Sequence, residues 1–165
     1  MTNPGLGVPF PVLLSLLAAL ALTIVPLPDP IAPLRPDWVL LVLVYWGTAF
    51  PRRVGILVAL VAGLFLDVLQ QHLLGQNALT LAVAMFIVLQ IYPRMRVFPV
   101  WQQAMVIAFL VTLTRLVQIW IQGAIGLPPG SVWYWGPVVT SALLWPIVYH
   151  ILRETRRRWL LHLTA

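Results

Sequence analysis

Long apolar runs broken by short clusters of proline, glycine and arginine make up most of this chain. Stretches without a charged residue extend from Met1 to Pro28, Trp38 to Pro51, Val54 to Leu66, Val68 to Pro93, Val97 to Thr114 and Leu116 to Leu152. Such runs predict membrane-spanning helices, because a water-soluble bundle of this size would alternate apolar and polar faces. An all-α polytopic membrane protein with six spans is expected, at about 10–25, 37–50, 54–73, 78–92, 100–122 and 134–152, followed by a basic tail at 153–165. The first span ends at the prolines of residues 26–36, and the second at Pro51, Arg52 and Arg53. Gly75, Gln76 and Asn77 separate the third and fourth, Arg94 and Arg96 the fourth and fifth, and Gly126, Pro128, Pro129 and Gly130 the fifth and sixth. Ala19, Leu20 and Ala21 mimic a signal-peptidase site, but no basic region precedes them and apolar residues continue beyond, so a retained first span is expected.

Composition agrees with that pattern: 61% of the 165 residues are hydrophobic, 8% are charged, and the mean hydropathy is +0.96. The connections between spans are each about a dozen residues or fewer, which leaves no room among them for a catalytic domain outside the membrane. All ten basic residues are arginine and there is no cysteine, so Schiff-base lysine chemistry, thiol catalysis and thiolate metal sites are excluded. A net charge of +6 would suggest nucleic acid in a soluble protein, but here the arginines sit at segment ends and no nucleic-acid partner is expected. Arg52, Arg53, Arg94, Arg96, Arg153, Arg156, Arg157 and Arg158 fall on one set of alternate connections, and Arg35 alone on the other. That asymmetry predicts cytoplasmic N- and C-termini. Trp38, Trp101, Trp120, Trp133, Trp135 and Trp159 fall at expected helix ends, where an amphipathic ring prefers the interface.

Two ionisable residues lie well inside expected spans, Asp67 in the third and Arg115 in the fifth, and each would cost about 2.5 to 3.5 kcal/mol if left unpaired at mid-helix. With a rise of ~1.5 Å per residue, Asp67 sits about 20 Å above Val54 and Arg115 about 22 Å above Val100, so their depths match. A direct or water-bridged Asp67–Arg115 pair is expected. Arg35 and Asp37 stand at the outer mouth at a similar height, which completes a neutral set of two acids and two arginines. Gln118 shares a helical face with Thr112, Arg115 and Gln122, and Asp67, Gln70 and Gln71 share one face of the third span. An ion-pair lock, a pocket for a small or amphiphilic ligand, and a proton or ion relay are all compatible with this cluster.

Gly55, Ala59, Gly63 and Asp67 recur every four residues, a small-residue row that lets another helix approach closely and marks the third span as a candidate central helix. Ser15 and Ala19 begin a similar row on the first span, open either to internal packing or to a partner's transmembrane helix. The tail arginines Arg153, Arg156, Arg157 and Arg158 suit anionic lipid. Neither metal-ligand spacing nor a catalytic constellation is found, so no cofactor and no enzymatic activity are expected.

Arg35, Pro36, Asp37 and Trp38 (RPDW), then Tyr45 and Trp46, Pro51 with Gly55, GLFLD from Gly63 to Asp67 and LGQNAL from Leu74 to Leu79 occur in an order that resembles the rod shape-determining protein MreD family. The likeness runs from about Leu34 to Trp120. It implies a bacterial inner-membrane protein of six helices, similar in fold to the substrate-binding subunits of energy-coupling-factor vitamin transporters, with no enzymatic activity. It further implies a scaffold or regulatory role in the cell-wall elongation machinery and in maintaining rod shape. The expected partners are MreC directly and, through the same complex, the actin-like MreB, the RodA glycosyltransferase and its transpeptidase. The matching positions Arg35, Pro36, Asp37, Trp38, Gly63, Asp67 and Gly75 are the functional candidates. The chain departs from the transporter subunits in lacking an Ala-x-x-x-Ala motif on the first span, where Ser15 and Ala19 stand. The rival reading is a small-molecule or lipid-binding membrane subunit of a transporter.

Overall fold

The computed structural model describes residues 9–128 and 130–164, which leaves Pro129 of the expected turn and the two chain ends outside the described residues. Six α-helices follow one another: α1 (Phe10–Ile24), α2 (Trp38–Ala49), α3 (Ile56–Gln70), α4 (Gln76–Met95), α5 (Val100–Ala124) and α6 (Gly136–Thr164). Short 3-10 turns at Ala32–Leu34 and Val132–Trp135 lie in the two proline- and glycine-rich connections and touch each other. Among the described residues there is no strand.

The helix ends differ from the expected spans for local reasons. α3 stops at Gln70 instead of 73 because Gln71 turns into the left-handed region (φ 54°), which breaks the helical hydrogen-bond ladder. Gly75, also left-handed at φ 98°, then starts α4 two residues earlier than expected. The basic tail is no separate segment: α6 continues through it to Thr164.

Three stretches, Gln76–Met95, Val100–Ala124 and Val132–His162, are long and apolar enough to cross a membrane. α1 and α3 are shorter apolar helices of 15 residues each, and α2 has only 12, about 18 Å of helix against a hydrocarbon core of about 30 Å.

α2, not α3, is the central helix. Its residues Val39 through Gly47 are all buried, packed by α1, α4 and α6. With only 12 residues α2 cannot cross a hydrocarbon core of about 30 Å on its own, so the polar groups at its ends need protein around them. The row on α3 instead serves one contact, with α4. A Cβ placed on Gly63 would lie 2.4 Å from the Ala78 Cα and 2.5 Å from its nitrogen, so only glycine permits this approach. Ala59, one turn below, is fully buried, whereas Gly55 caps the helix start with open space around it and is not part of the packed row. The other side of α3, with Leu57, Val61, Phe65 and Val68, is exposed, as a lipid-facing surface would be.

On α1 the small residues also point inward. The Trp46 Nε1–H donates to Ser15 Oγ over 2.8 Å and Ala19 is buried, so this row packs against the core. Leu13, Leu14 and Leu17 form the exposed side.

Candidate functional site

The four charges expected to gather as one set are divided by the fold into three separate arrangements. Asp67 does not pair with Arg115. Its carboxylate is fully buried beneath the first turn of α4, where Oδ2 accepts the Gly75 N–H at 2.8 Å and the Ala78 N–H at 3.4 Å, and Oδ1 accepts the Asn77 N–H at 2.8 Å. Those donors have no partner within α4, and the helix dipole favours a negative charge at that end. The close α3–α4 approach at Gly63 brings the carboxylate within reach, and the left-handed Gly75 turns its N–H toward it.

Arg35 performs the inverse task. Its Nη2 donates to the Val25 carbonyl at 2.6 Å and its Nη1 to the Thr23 carbonyl, so a guanidinium closes the C-terminal end of α1, where a positive charge is favoured. The remaining two charges do pair: Arg115 Nη2 donates to Asp37 Oδ1 at 2.9 Å, joining α5 to the residue that precedes α2. The Asp37 backbone N–H donates to Ser141 Oγ on α6 at 3.1 Å. Trp38 packs against the core next to it. The RPDW segment is therefore tied to α1 through Arg35 and to α5 and α6 through Asp37, with Pro36 fixing the backbone between them.

A polar chain runs beside the ion pair. The Tyr134 O–H donates to Gln118 Oε1 at 3.0 Å, Gln118 Nε2 donates to Asn77 Oδ1 at 3.0 Å, and Asn77 Nδ2 donates to Gln70 Oε1 at 3.2 Å. The Arg115 guanidinium lies 5.1 Å from the centre of the Tyr134 ring. Asp67 and Arg115 are thus linked through Asn77, Gln118 and Tyr134, although they do not touch.

These groups surround a cavity of about 530 Å³ between the proline-rich connection, α2, α4, α5 and the Val132–Trp135 turn. Arg35, Asp37, Asn77, Arg115, Gln118 and Tyr134 line its polar side, while Leu40, Leu66 and Leu81 line its floor. Asp67 lies outside the lining. Among the described residues no group of three or more histidine, cysteine, aspartate or glutamate side chains could hold a metal ion.

At the opposite end of the bundle, Arg96 donates from Nε to the Thr48 carbonyl at 2.8 Å and from Nη2 to the Ala49 carbonyl at 3.0 Å, closing the C-terminal end of α2. Gln103 Nε2 donates to the Met95 and Phe98 carbonyls, and its Oε1 accepts the Trp145 Nε1–H at 3.2 Å. Farther out, Arg157 and Arg158 reach back to Glu154 at 3.0 Å each, and with Arg153 they remain exposed.

Sequence reasoning missed Asn77, Tyr134 and Ser141, which connect the candidate residues, and read Arg96 only as a marker of orientation. The available signal was the polar pairs Gln76–Asn77 and Thr140–Ser141 within otherwise apolar segments. Nothing in the local sequence indicates that Arg96 would reach the end of α2.

Comparison with known proteins follows the same residues. A family model for the rod shape-determining protein MreD matches residues 7–155. The rod shape-determining protein MreD of Haemophilus influenzae is 30% identical over 156 residues, which covers 93% of this chain and 94% of that protein. No solved structure matches the chain. The match to the family model spans both the RPDW segment and the Asp67–Gly75 closure, and this chain belongs to the rod shape-determining protein MreD family.

Proposed function

We propose that this protein, a member of a family involved in rod shape determination, acts as a non-enzymatic scaffold or regulatory subunit of the cell-wall elongation complex. In this reading it crosses the bacterial inner membrane six times with both termini in the cytoplasm, in a fold like that of energy-coupling-factor substrate-binding subunits. α2 and α3 are short enough that their polar ends lie within the headgroup layer or in protein-lined space. MreC is the direct partner, and MreB, RodA and the elongation transpeptidase belong to the same assembly. The tail arginines rest on anionic lipid.

The observation that carries this reading is the immobilisation of the RPDW segment. Arg35, Asp37 and the Asp37 backbone N–H are held by three different helices, which makes the outer connection a preformed surface and not a mobile loop. A preformed surface loses little conformational entropy when a partner's membrane helix or adjoining segment docks.

The test is co-purification of MreC with the wild-type chain and with Asp37→Arg, Arg115→Asp and the double swap, alongside rescue of rod shape in cells lacking the protein. Loss of MreC and rounded cells in the single variants, with recovery in the double swap, is the expected result. Retention of MreC by a single variant whose RPDW segment is released would exclude the RPDW surface as the contact.

A further inference from the structure

We infer that the cavity behind the RPDW segment is a binding site for a single acidic head group, a phosphate ester or a carboxylate, carried by a membrane amphiphile. This goes beyond the scaffold role and does not depend on it.

The first support is the balance of charge and donors on the wall. Arg35 and Arg115 face one carboxylate, Asp37, so the lining retains one net positive charge. Neither guanidinium is saturated. Arg115 Nη2 donates to Asp37 Oδ1 and its guanidinium also lies against Tyr134, while Nε of Arg115 and Nε of Arg35 are both buried without an acceptor. A guanidinium carries five N–H donors, and leaving donors unmatched inside a membrane protein is costly. An acidic group entering the cavity would supply acceptors to the free side of Arg115 and neutralise the excess charge. The two buried Nε atoms would be compensated through the charge and not by direct contact.

The second support is the shape of the surroundings. The cavity volume of about 530 Å³ falls in the range of small-ligand sites. Pro36 and Trp38 form a wall shared with an apolar groove of about 460 Å³, whose other side is made by Leu22 of α1, Val25 just after it, and Leu143 and Leu144 of α6. A charged head in the first space and a hydrocarbon chain over Trp38 in the second would fit a single-chain amphiphile. Asn77, Gln118 and Tyr134 would present further polar atoms to the head, while Leu66 and Leu81 limit its depth.

The full-length protein in phosphatidylcholine nanodiscs supplies the test, with lysophosphatidylglycerol as the monoanionic probe, lysophosphatidylcholine as the zwitterionic control and glycerol 3-phosphate as the soluble anion. Native mass spectrometry is expected to show saturable lysophosphatidylglycerol binding at least tenfold tighter than lysophosphatidylcholine. Asp37→Asn frees Arg115 and should tighten that binding severalfold, whereas Arg115→Lys, which keeps the charge but loses the fork, should weaken it about tenfold. A purely structural ion pair would move both variants the same way or neither, and that result overturns the site. Glycerol 3-phosphate binding as tightly as the lysolipid would support an anion site but overturn the amphiphilic carrier.

A photoreactive lysophosphatidylglycerol gives a readout that needs no variant. Labels on the Thr114–Gln118 turn of α5 and on Trp133 and Tyr134 are expected. Labels confined to Arg52, Arg53, Arg96 or the arginines of residues 153–158 would overturn the proposal, since those positions attract any anionic lipid.

Discussion

Arg115 and Asp37, 78 positions apart in the chain, meet at 2.9 Å with only 17% and 29% of their side chains exposed. The pair fixes the start of α2 against α5, and it does so for a helix whose own first turn has no side-chain cap. Taking both charges out of water is expensive, so breaking the pair on one side leaves an uncompensated charge in a poorly solvated place.

Charge exchange should therefore separate the true partners from the apparent ones. Asp37→Arg and Arg115→Asp are each expected to lower thermal stability in detergent, with the double swap recovering about 1 to 3 kcal/mol of coupling. Asp67→Arg combined with Arg115→Asp should recover nothing, because Asp67 is bound to backbone donors. A rescue by that second combination, measured as a rise in melting temperature, would contradict the geometry.

The closure of α4 by Asp67 predicts a graded series. Asp67→Ala strands the N–H groups of Gly75, Asn77 and Ala78 in a buried site, at a cost of about 3 kcal/mol or more. Asp67→Asn keeps one acceptor but loses the charge that the helix dipole stabilises, and should fall between Ala and wild type. Amide exchange at Asn77 and Ala78 is the direct measure, and it should accelerate in the same order.

Two glycines that share the four-residue spacing should respond differently. Gly63→Ala forces a Cβ to 2.4 Å from the Ala78 backbone, which can yield only by moving α4 away from Asp67. Overpacking of that kind costs about 1 to 3 kcal/mol. Gly55→Ala meets open space and loses only the preference of an N-cap for glycine, at a cost of about 0.5 to 1 kcal/mol with α3 left against α4. Thermal unfolding of the two variants side by side distinguishes a packed glycine from one that merely shares its spacing.

The arginine closing α2 is a fourth case. Arg96→Met keeps much of the apolar stem but removes the donors to the Thr48 and Ala49 carbonyls, with an expected loss of about 1 to 3 kcal/mol. Arg94→Met, whose side chain makes no comparable closure, serves as the control for lost positive charge. Equal effects of the two substitutions on melting temperature would mean that charge alone matters at this connection.

Much of this architecture was readable beforehand, and the misreadings share a cause. Apolar runs and their proline, glycine and arginine breaks revealed six helices in order, and the insertion cost singled out Asp67 and Arg115. Depth along a helix, however, is one coordinate, and partnership depends on the angle around the axis as well. Asp67 and Arg115 have matching depths, but Asp67 faces the α4 terminus and Arg115 faces the RPDW segment. The small-residue row on α3 marks a close approach to one neighbour, α4, and not the centre of the bundle. α2 is no more apolar than α1, and its shortness, which leaves its ends in need of surrounding protein, is the better sign of the centre. Closure of one helix by a side chain from another, as by Arg35 and Arg96, leaves no periodic trace in either segment.

At the cytoplasm-facing end expected for α6, Glu154 accepts from Arg157 and Arg158. Hydrogen bonds from Arg157 and then Arg158 hold its carboxyl below the usual carboxylate range. A group whose pKa is lower in the folded helix contributes its stabilisation above the unfolded pKa and loses it as pH falls through the folded value. The end of α6 should accordingly fray faster below the ordinary carboxylate range than at neutral pH, with little change between pH 6 and pH 8. Because the site is open to solvent, the effect should also shrink with added salt. Amide exchange across residues 153–160, corrected for its intrinsic pH dependence, measures this directly. Glu154→Gln should abolish the pH response, and a response that survives the substitution would place its origin elsewhere.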